Sequence, residues 1–196
     1  MIAASNLKGG VGKTMTAVSL GFGLARRGKR VLVYDLDPQH SATVSFGVAE
    51  PNKLNVTIAT MLQNIIADPD CDPAAGVIQH REGIDLLPAN SALAGVELAL
   101  VQIIGRETVL RQYLDRVKSD YDFIILDCSP SMDLLTVNAL AAAGSVIIPV
   151  APKFFDAKGM ELPLKSVARI RRQINPALTI EGILLTMVDK RAKLTR

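Results

Sequence analysis

The sequence predicts an α/β fold, namely a three-layer, mostly parallel twisted sheet with helices on both faces. Short apolar strands alternate with longer segments of helical periodicity, and this alternation produces right-handed βαβ units. The second predicted strand, Arg30–Asp35, has an uninterrupted apolar centre, which is typical of a strand covered on both faces. A glycine-rich segment between the first strand and the first helix places a tight turn at one edge of the sheet.

The predicted elements follow one another along the whole chain, and no internal repeat interrupts them. Strands are expected at Ile2–Asn6, Arg30–Asp35, Ile84–Leu87, Phe123–Asp127, Val146–Val150 and Ile180–Val188. Helices are expected at Thr14–Arg27, Val56–Ile66, Leu134–Ala143 and Asp156–Ile174, with one or two more between Ser91 and Ser119.

Length and composition indicate one globular domain. The chain has 196 residues, of which 49% are hydrophobic and 21% charged, so intrinsic disorder is not expected. Its two cysteines, Cys71 and Cys128, suit a reducing compartment better than a disulfide-stapled scaffold. The uncharged stretch Leu134–Pro152 contains Asn138 and Gly144, so it is interpreted as a buried helix, a turn and a strand rather than a membrane span.

The glycine-rich segment is the strongest functional signal. It reads Asn6-Leu7-Lys8-Gly9-Gly10-Val11-Gly12-Lys13-Thr14. Glycines allow backbone N–H groups to turn inward around a phosphate, and the helix N-terminus behind them adds a positive dipole end. The Lys13 ammonium would then reach the outer phosphates, and the Thr14 hydroxyl would contact Mg²⁺.

Carboxylates follow two of the predicted strands. Asp35 and Asp37 are two positions apart, so they emerge on the same side of the strand end, and Asp127 follows the apolar strand that begins at Phe123. Ligands of open α/β sheets bind at the carboxyl ends of the strands. These acids are therefore candidates for holding Mg²⁺ or orienting a water molecule, although Asp35 can also be interpreted as a helix N-cap.

The three motifs together resemble those of the ParA/MinD family of ATPases. The run from Lys8 to Thr14 is similar to that family's deviant Walker A motif, and Asp35-Leu36-Asp37-Pro38-Gln39 is similar to its Asp-x-Asp-Pro-Gln segment. The strand that ends at Asp127 is similar to its Walker B strand. The resemblance extends from Ile2 to Arg196 and implies a P-loop NTPase fold.

The resemblance assigns roles to individual residues. It implies that ATP and Mg²⁺ are the cofactors, that Asp37 positions the attacking water, and that Thr14, Asp127 and, less directly, Asp35 serve the metal. Lys8 is expected to reach across an ATP-dependent homodimer to the partner's nucleotide, where a second cation stabilises transition-state charge. Catalysis is thereby assigned to Lys8, Lys13 and Asp37, and nucleotide binding to Lys8, Gly9, Gly10, Val11, Gly12, Lys13, Thr14 and Met15.

Two departures from the family pattern are visible. Relatives commonly have two prolines where this chain has Ser129 and Pro130. This departure is expected to change the stiffness of the loop but not the chemistry. Relatives also usually have glycine where this chain has His40. His40 and His80 are interpreted as surface residues because neither has metal-ligating partners close in sequence. Cys128 is interpreted as a core residue because it lacks a nearby histidine or a second cysteine at metal-ligand spacing.

The last part of the chain is basic. Residues 1–152 carry 12 basic and 15 acidic side chains, whereas residues 153–196 carry 10 basic and 4 acidic ones. On a helix, Lys158, Lys165, Arg169 and Arg172 fall within about 60° of one face. This face is interpreted either as an ordinary solvated surface or as a site that contacts DNA phosphates without reading bases. In the related proteins the residue matching Arg191 lies on the DNA-binding surface.

The leading functional hypothesis is a DNA-segregation ATPase similar to the Soj-like ParA proteins, since residues 152–156 and 186–191 resemble ParA more than MinD. Its expected partners are non-specific double-stranded DNA and a ParB-like activator, with no membrane, and its expected place is the cytoplasmic nucleoid. A MinD-like membrane-cycling ATPase, a positioning ATPase for a conjugation or secretion machine, and an amidotransferase or metal-centre enzyme remain alternatives. Residues 1–196 are expected to form one ATPase domain that lacks the family's C-terminal strands and helices.

Overall fold

A computed structural model describes residues 1–68, 71–80, 82–152 and 157–188. These residues contain one seven-stranded sheet with the order β3-β4-β2-β5-β1-β6-β7. Its strands are β1 (Ile2–Ala4), β2 (Val31–Leu36), β3 (Ile78–His80), β4 (Ile84–Leu87), β5 (Phe123–Cys128), β6 (Ser145–Val150) and β7 (Thr179–Leu185). All neighbouring strands are parallel except β3, which is antiparallel to β4.

Helices connect the strands. They are α1 (Lys13–Ala25), α2 (Ser41–Ser45), α3 (Ile58–Ala67), α4 (Leu93–Leu100), α5 (Val109–Val117), α6 (Leu134–Ala142) and α7 (Ala157–Gln173). Short 3₁₀ turns lie at Pro51–Lys53, Arg106–Thr108 and Lys118–Asp120. The strands therefore follow one another through helical crossovers, as a parallel sheet requires.

The sheet separates two hydrophobic clusters. On one face, Ala17 and Val18 of α1 pack against strand residues such as Val33 and Ile125, together with Phe46. On the other face, helices α3 to α7 cover a larger cluster that includes Leu32, Tyr34 and Leu126. Alternate residues of β2 and β5 thus enter opposite layers, which explains why both strands are apolar without a break.

The three-layer, mostly parallel α/β architecture confirms the predicted fold class. The segment Ser91–Ser119 forms two helices, α4 and α5, separated at Gly105 and the following 3₁₀ turn. The strand expected at Ile180–Val188 begins one residue earlier and ends at Leu185. Sequence reasoning missed α2 and β3, because both are too short to show a period.

One side-chain expectation was wrong. His80 is half-buried and packs edge-on against Phe22 and Phe46, with ring centroids 5.4 Å and 5.7 Å away. It closes an aromatic cluster over the end of α1 instead of lying in solvent. Cys128, in contrast, is 1% exposed and belongs to the larger cluster, as the sequence indicated.

The outer strand β7 is the least covered part of the sheet. Ile180, Ile183, Leu184 and Leu185 are each between 43% and 48% exposed. Its inner edge pairs with β6 over Thr179–Leu185, with an irregularity after Val146. The carboxyl ends of β7, β6, β1, β5 and β2 face the same edge of the sheet, and this edge carries the glycine-rich loop.

Candidate active site

The glycine-rich loop leaves β1 and leads directly into α1, which begins at Lys13. Gly10 and Gly12 have φ values of 68° and 85°, a left-handed conformation that side chains with a Cβ rarely adopt. Gly12 is also the residue before the helix, so its carbonyl accepts the N–H of Thr16 at 2.9 Å. The loop therefore has the backbone conformation of an anion-binding nest at a helix N-terminus.

Asn6 fastens this loop to the sheet. Its side-chain amide donates to the Pro149 carbonyl on β6 at 2.8 Å, and its Oδ1 accepts the backbone N–H of Lys8 at 3.0 Å. Asn6 is 5% exposed, so both bonds are shielded from water. Sequence reasoning did not single out Asn6; the available signal was a polar residue at the end of a buried strand.

Lys13 lies along the inside of the loop. Its side chain is buried, with 7% of the residue exposed, and its Nζ donates to the Lys8 carbonyl at 3.1 Å. Burial lowers the pKa of Lys13, whereas the nearby Asp127 and Asp37 raise it. A buried cation that is held between the loop and these carboxylates is suited to the charge of a bound phosphate.

Asp127 is the most unusual group at the site. It is completely buried at the end of β5, and neither carboxylate oxygen accepts a well-formed hydrogen bond in the described part of the chain, although the Thr14 hydroxyl lies close to them. Burial raises the pKa of Asp127 to about 8, and Asp35 adds to that shift, while Thr14 and Lys13 oppose it. An unpaired buried carboxylate of this kind is unstable unless a cation or a proton compensates it.

These residues fit Mg²⁺. Within the described ranges, no group of three His, Cys, Asp or Glu side chains could by itself hold a metal ion. Mg²⁺ does not need such a cage, because it commonly uses one or two carboxylates and takes its other ligands from water and phosphate. Asp127 offers an uncommitted carboxylate, and the half-buried Thr14 lies in the first turn of α1 beside the loop.

Asp35 is buried too, but its oxygens are already occupied. Oδ2 accepts the backbone N–H and the hydroxyl of Thr43 at 2.8 Å and 2.7 Å, and Oδ1 accepts the N–H of Asp37 at 3.2 Å. Burial raises the pKa of Asp35, and these hydrogen bonds oppose that rise. Its direct effect is to fix α2 and the backbone of Asp37; its expected role near the metal stays a prediction.

Asp37 is half-buried at the mouth of the site. Its Oδ1 accepts the N–H of Gln39 at 2.9 Å, and its carbonyl accepts the N–H of His40 at 2.8 Å. His40 has a φ of 48°, which accounts physically for the glycine that relatives have there. The second oxygen, Oδ2, accepts no hydrogen bond from the residues that the structure describes, so it is available to orient a water molecule.

The loop after Asp127 is held by hydrogen bonds. The Ser129 hydroxyl donates to Asp133 Oδ2 at 2.6 Å and lies 3.2 Å from the Thr136 hydroxyl. Asp133 Oδ1 caps α6 by accepting the N–H of Thr136 at 2.7 Å, and Ser131 also contacts the same carboxylate. Ser129 thus restrains the loop through Asp133, where a second proline would restrain it through its ring.

Comparison with known proteins agrees with this geometry. The family model described as AAA domain matches residues 1–180. The sporulation initiation inhibitor protein Soj of Bacillus subtilis is 43% identical over 99% of this chain and 75% of its own length. The chromosome partitioning protein ParA of Caulobacter vibrioides is 36% identical over all of this chain and 72% of its own.

The chain belongs to the ParA family of P-loop ATPases.

Solved structures of other proteins have a similar fold. A crystal structure of cobyrinic acid a,c-diamide synthase from Mycobacterium smegmatis, with bound ATP analog and magnesium, has a TM-score of 0.90 and 39% identity over 97% of this chain and 76% of that one. A plasmid partition protein from Borrelia burgdorferi has a TM-score of 0.81 and 27% identity, over 97% of this chain and 80% of that one.

Several of the other residues predicted to bind the nucleotide are exposed. Lys8, Gly9 and Gly10 lie at the solvent side of the loop, and Met15 is 68% exposed on the first turn of α1. Val11 and Lys13 are buried beneath them. The structure therefore brings together Lys13, Thr14, Asp35, Asp37 and Asp127 at one edge of the sheet, and it leaves Lys8 and Met15 on the surface around them.

The predicted DNA-contacting residues lie on the outer side of α7, as far as they are described. Lys165, Arg169 and Arg172 are exposed, opposite the buried Val167 and Ile170. Lys165 pairs with Glu161 at 2.5 Å, and Arg169 donates to Gln173 at 3.1 Å. Arg171, which sequence reasoning omitted, is also exposed, but it lies on a different side of α7, in the groove lined by Leu164 and Ile180. Lys158 belongs to the first turn of α7, and Arg191 lies outside the described residues.

The described residues contain no helix that is both long enough and apolar enough to cross a membrane.

Proposed function

We propose that this chain is a Mg²⁺-dependent ATPase of DNA segregation. It binds ATP in the glycine-rich loop, closes an ATP-dependent homodimer, binds double-stranded DNA without sequence preference, and is released when a ParB-like partner stimulates hydrolysis. In this role it works on the nucleoid in the cytoplasm. The observation that supports the proposal best is Asp127, a fully buried carboxylate that the described residues do not saturate with hydrogen bonds, next to a phosphate-type loop.

In the proposed mechanism the residues divide the work. The loop N–H groups and Lys13 would hold the β- and γ-phosphates, and Thr14 and Asp127 would hold Mg²⁺. When bound, Mg²⁺ would supply positive charge that offsets the negative charge on the phosphate oxygens. Asp37 orients the attacking water, and Asp35 keeps the Asp37 turn in place through its hydrogen bonds. The Lys8 ammonium of the second protomer stabilises the transition-state charge.

Several features support the DNA-segregation branch of the family. The relatives named as Soj and ParA match nearly the whole chain, and the plasmid partition protein shares the fold. The outer side of α7 presents the exposed basic side chains of Lys165, Arg169 and Arg172. We also propose that residues 1–196 form one domain, and that further C-terminal elements of the family would cover the apolar side chains of β7.

An electrophoretic mobility assay tests this proposal. The purified protein is mixed with unrelated DNA fragments of equal length, with ATP and Mg²⁺, with ADP and Mg²⁺, or without nucleotide. We expect equal retardation of all fragments with ATP and little without it. ATP turnover that rises when a cognate ParB-like protein and DNA are added would support the activator step. Binding that ignores nucleotide would contradict the proposal.

A second candidate function is an amide-forming synthase that uses ATP. The observation in its favour is the structural similarity to cobyrinic acid a,c-diamide synthase. Against it, the two cysteines are not placed as such an enzyme is expected to need them. Cys128 is buried in the core, and Cys71 is half-buried with no described cysteine partner. ATP turnover measured with glutamine and a corrinoid carboxylate, and separately with DNA, distinguishes the two functions. Co-sedimentation with liposomes tests the membrane-cycling alternative in the same series.

A further inference from the structure

The end of β7 is joined to the phosphate loop by one side chain. The hydroxyl of Thr186 donates to the Val11 carbonyl at 2.7 Å, although the two residues are 175 positions apart. The backbone N–H of Thr186 continues the sheet by donating to the Val150 carbonyl at 2.9 Å. The methyl carbon Cγ2 of Thr186 lies 3.5 Å from the point where a Cβ on Gly12 would stand. Thr186 therefore packs directly against the loop.

This contact supplies a hydrogen bond to a carbonyl of the loop that points away from the phosphate position. When N–H groups of a loop converge on an anion, the carbonyls of the same peptide units point outward. Val11 is completely buried, so its outward carbonyl cannot rely on water. The Thr186 hydroxyl supplies the donor, and a side chain without a hydroxyl would leave that carbonyl unpaired.

We infer that Thr186 is a positioning residue that couples occupancy of the phosphate loop to the end of β7. The inference rests on the proposed function, because it takes ATP as the occupant. A bound phosphate favours the loop conformation in which the Val11 carbonyl meets Thr186, and by reciprocity Thr186 favours phosphate binding. The loop and the last strand thus stabilise one another.

The chain turns directly after Thr186 and continues into a basic part of the sequence. Met187 is 67% exposed and has a φ of 54°, an uncommon conformation for a residue with a long side chain, so the chain turns sharply there. In the sequence, the basic residues Lys190, Arg191, Lys193 and Arg196 follow at once. In the amino-acid sequence, Thr186 therefore lies directly between β7 and this basic segment.

The test compares Thr186→Val, which keeps the shape and removes the hydroxyl, with Thr186→Ser, which keeps the hydroxyl. Hydrogen exchange followed by mass spectrometry is measured without nucleotide and with saturating ATP and Mg²⁺. Without nucleotide, we expect faster exchange of the loop amides in Thr186→Val than in Thr186→Ser. With ATP, exchange over β7 slows in the wild type and in Thr186→Ser, but not in Thr186→Val.

Nucleotide affinity provides the second measurement. Loss of this hydrogen bond predicts that Thr186→Val binds ATP about 10-fold more weakly and that Thr186→Ser binds within about 3-fold of the wild type. The KM for ATP should rise more than kcat falls. Where Thr186→Val does not fold by circular dichroism, Thr186→Ala takes its place.

The outcomes separate the two proposals. A wild-type protein that does not bind ATP would overturn the proposed function. A wild type that binds ATP, together with a folded Thr186→Val of equal affinity and equal β7 protection, would overturn the coupling alone. Weak binding by Thr186→Ser would also contradict it, because that variant retains the hydroxyl.

Discussion

Asp35 and Asp127 stand side by side as register partners on the neighbouring parallel strands β2 and β5. Both are completely buried, but Asp35 accepts three hydrogen bonds, whereas Asp127 has the Thr14 hydroxyl close by and accepts no well-formed hydrogen bond from the described residues. Two adjacent buried acids cannot both be charged without compensation. The pair therefore divides into one acid that supports the backbone and one that is available to a cation.

The first prediction concerns the stability of the nucleotide-free protein. The pKa of Asp127 is about 8 in the folded state, above the value of about 3.9 expected for an unfolded chain. The folded state binds this proton more tightly than the unfolded state. The contribution of Asp127 to the free energy of unfolding therefore falls steadily as pH rises from about 4 to about 8. Asp127→Asn should raise the free energy of unfolding at pH 8 by roughly 1–3 kcal/mol, and by less at pH 5.

Urea unfolding in EDTA at both pH values measures this effect. Asp120→Asn is the matched control, because Asp120 is an exposed acid at the other end of β5. We expect the control to change stability little at either pH. An Asp127→Asn variant that is less stable than the wild type at pH 8 would show that the carboxylate is compensated within the protein.

The second prediction separates binding from chemistry at Asp37. Asp37→Ala should bind ATP and dimerise but hydrolyse ATP about 100-fold more slowly or worse, since a water-orienting carboxylate acts mainly in the transition state. Asp37→Asn is the more conservative companion, because it keeps an acceptor for the Gln39 N–H. Size-exclusion chromatography with light scattering should show a persistent ATP-bound dimer. Wild-type turnover in both variants would assign the water to another group.

The third prediction concerns Lys8. It is exposed on the solvent side of the loop, while Lys13 is buried beneath it. Lys8→Ala should keep ATP affinity within about 3-fold, since the loop N–H groups and Lys13 remain, but it should lose the ATP-induced dimer. Lys29→Ala, which removes an exposed lysine from the amino end of β2, is the control. If light scattering still shows an ATP-dependent mass increase in Lys8→Ala, Lys8 does not contact a second protomer.

The fourth prediction concerns DNA and salt. Affinity for DNA should fall with salt, by a slope of about 0.9 in log K per log salt for each phosphate contact. Arg172→Glu should weaken binding to all sequences alike. Reversal at Lys165 should matter less, because Lys165 already pairs with Glu161. Arg27→Glu, a reversal just after the end of α1, is the control. Fluorescence anisotropy at several salt concentrations measures the slopes, and a strong preference for one sequence would contradict the account.

Much of the site was predictable because its signals are local. Glycines before a helix, and acids at the ends of apolar strands, follow from backbone conformation and sheet geometry, and Gly12, Lys13 and Asp127 lie where these rules place them. The supports of the site were not predictable. Asn6, Thr43 and Thr186 make contacts with residues 8 to 175 positions away in sequence, and no short pattern records such contacts.

Asp35 and Asp127 also show that contacts between separate segments could not be predicted from the sequence. The sequence indicates that Asp35 and Asp127 both end strands, but it cannot show that a threonine eight residues further on saturates one of them. His80 was missed for a related reason, since its aromatic partners come from α1 and from the residue after α2. Packing between distant segments decides these cases, not local propensity.

The central claim is that ATP is bound through Lys13 in the glycine-rich loop. Titration calorimetry of ATP with Mg²⁺ into the wild type and into Lys13→Ala, with Lys29→Ala as control, tests it directly. Removal of a buried charge-assisted contact predicts a loss of about 1.5–3 kcal/mol, or roughly 10- to 150-fold in affinity. We expect Lys29→Ala to bind like the wild type. Unchanged ATP affinity in a folded Lys13→Ala would contradict the account.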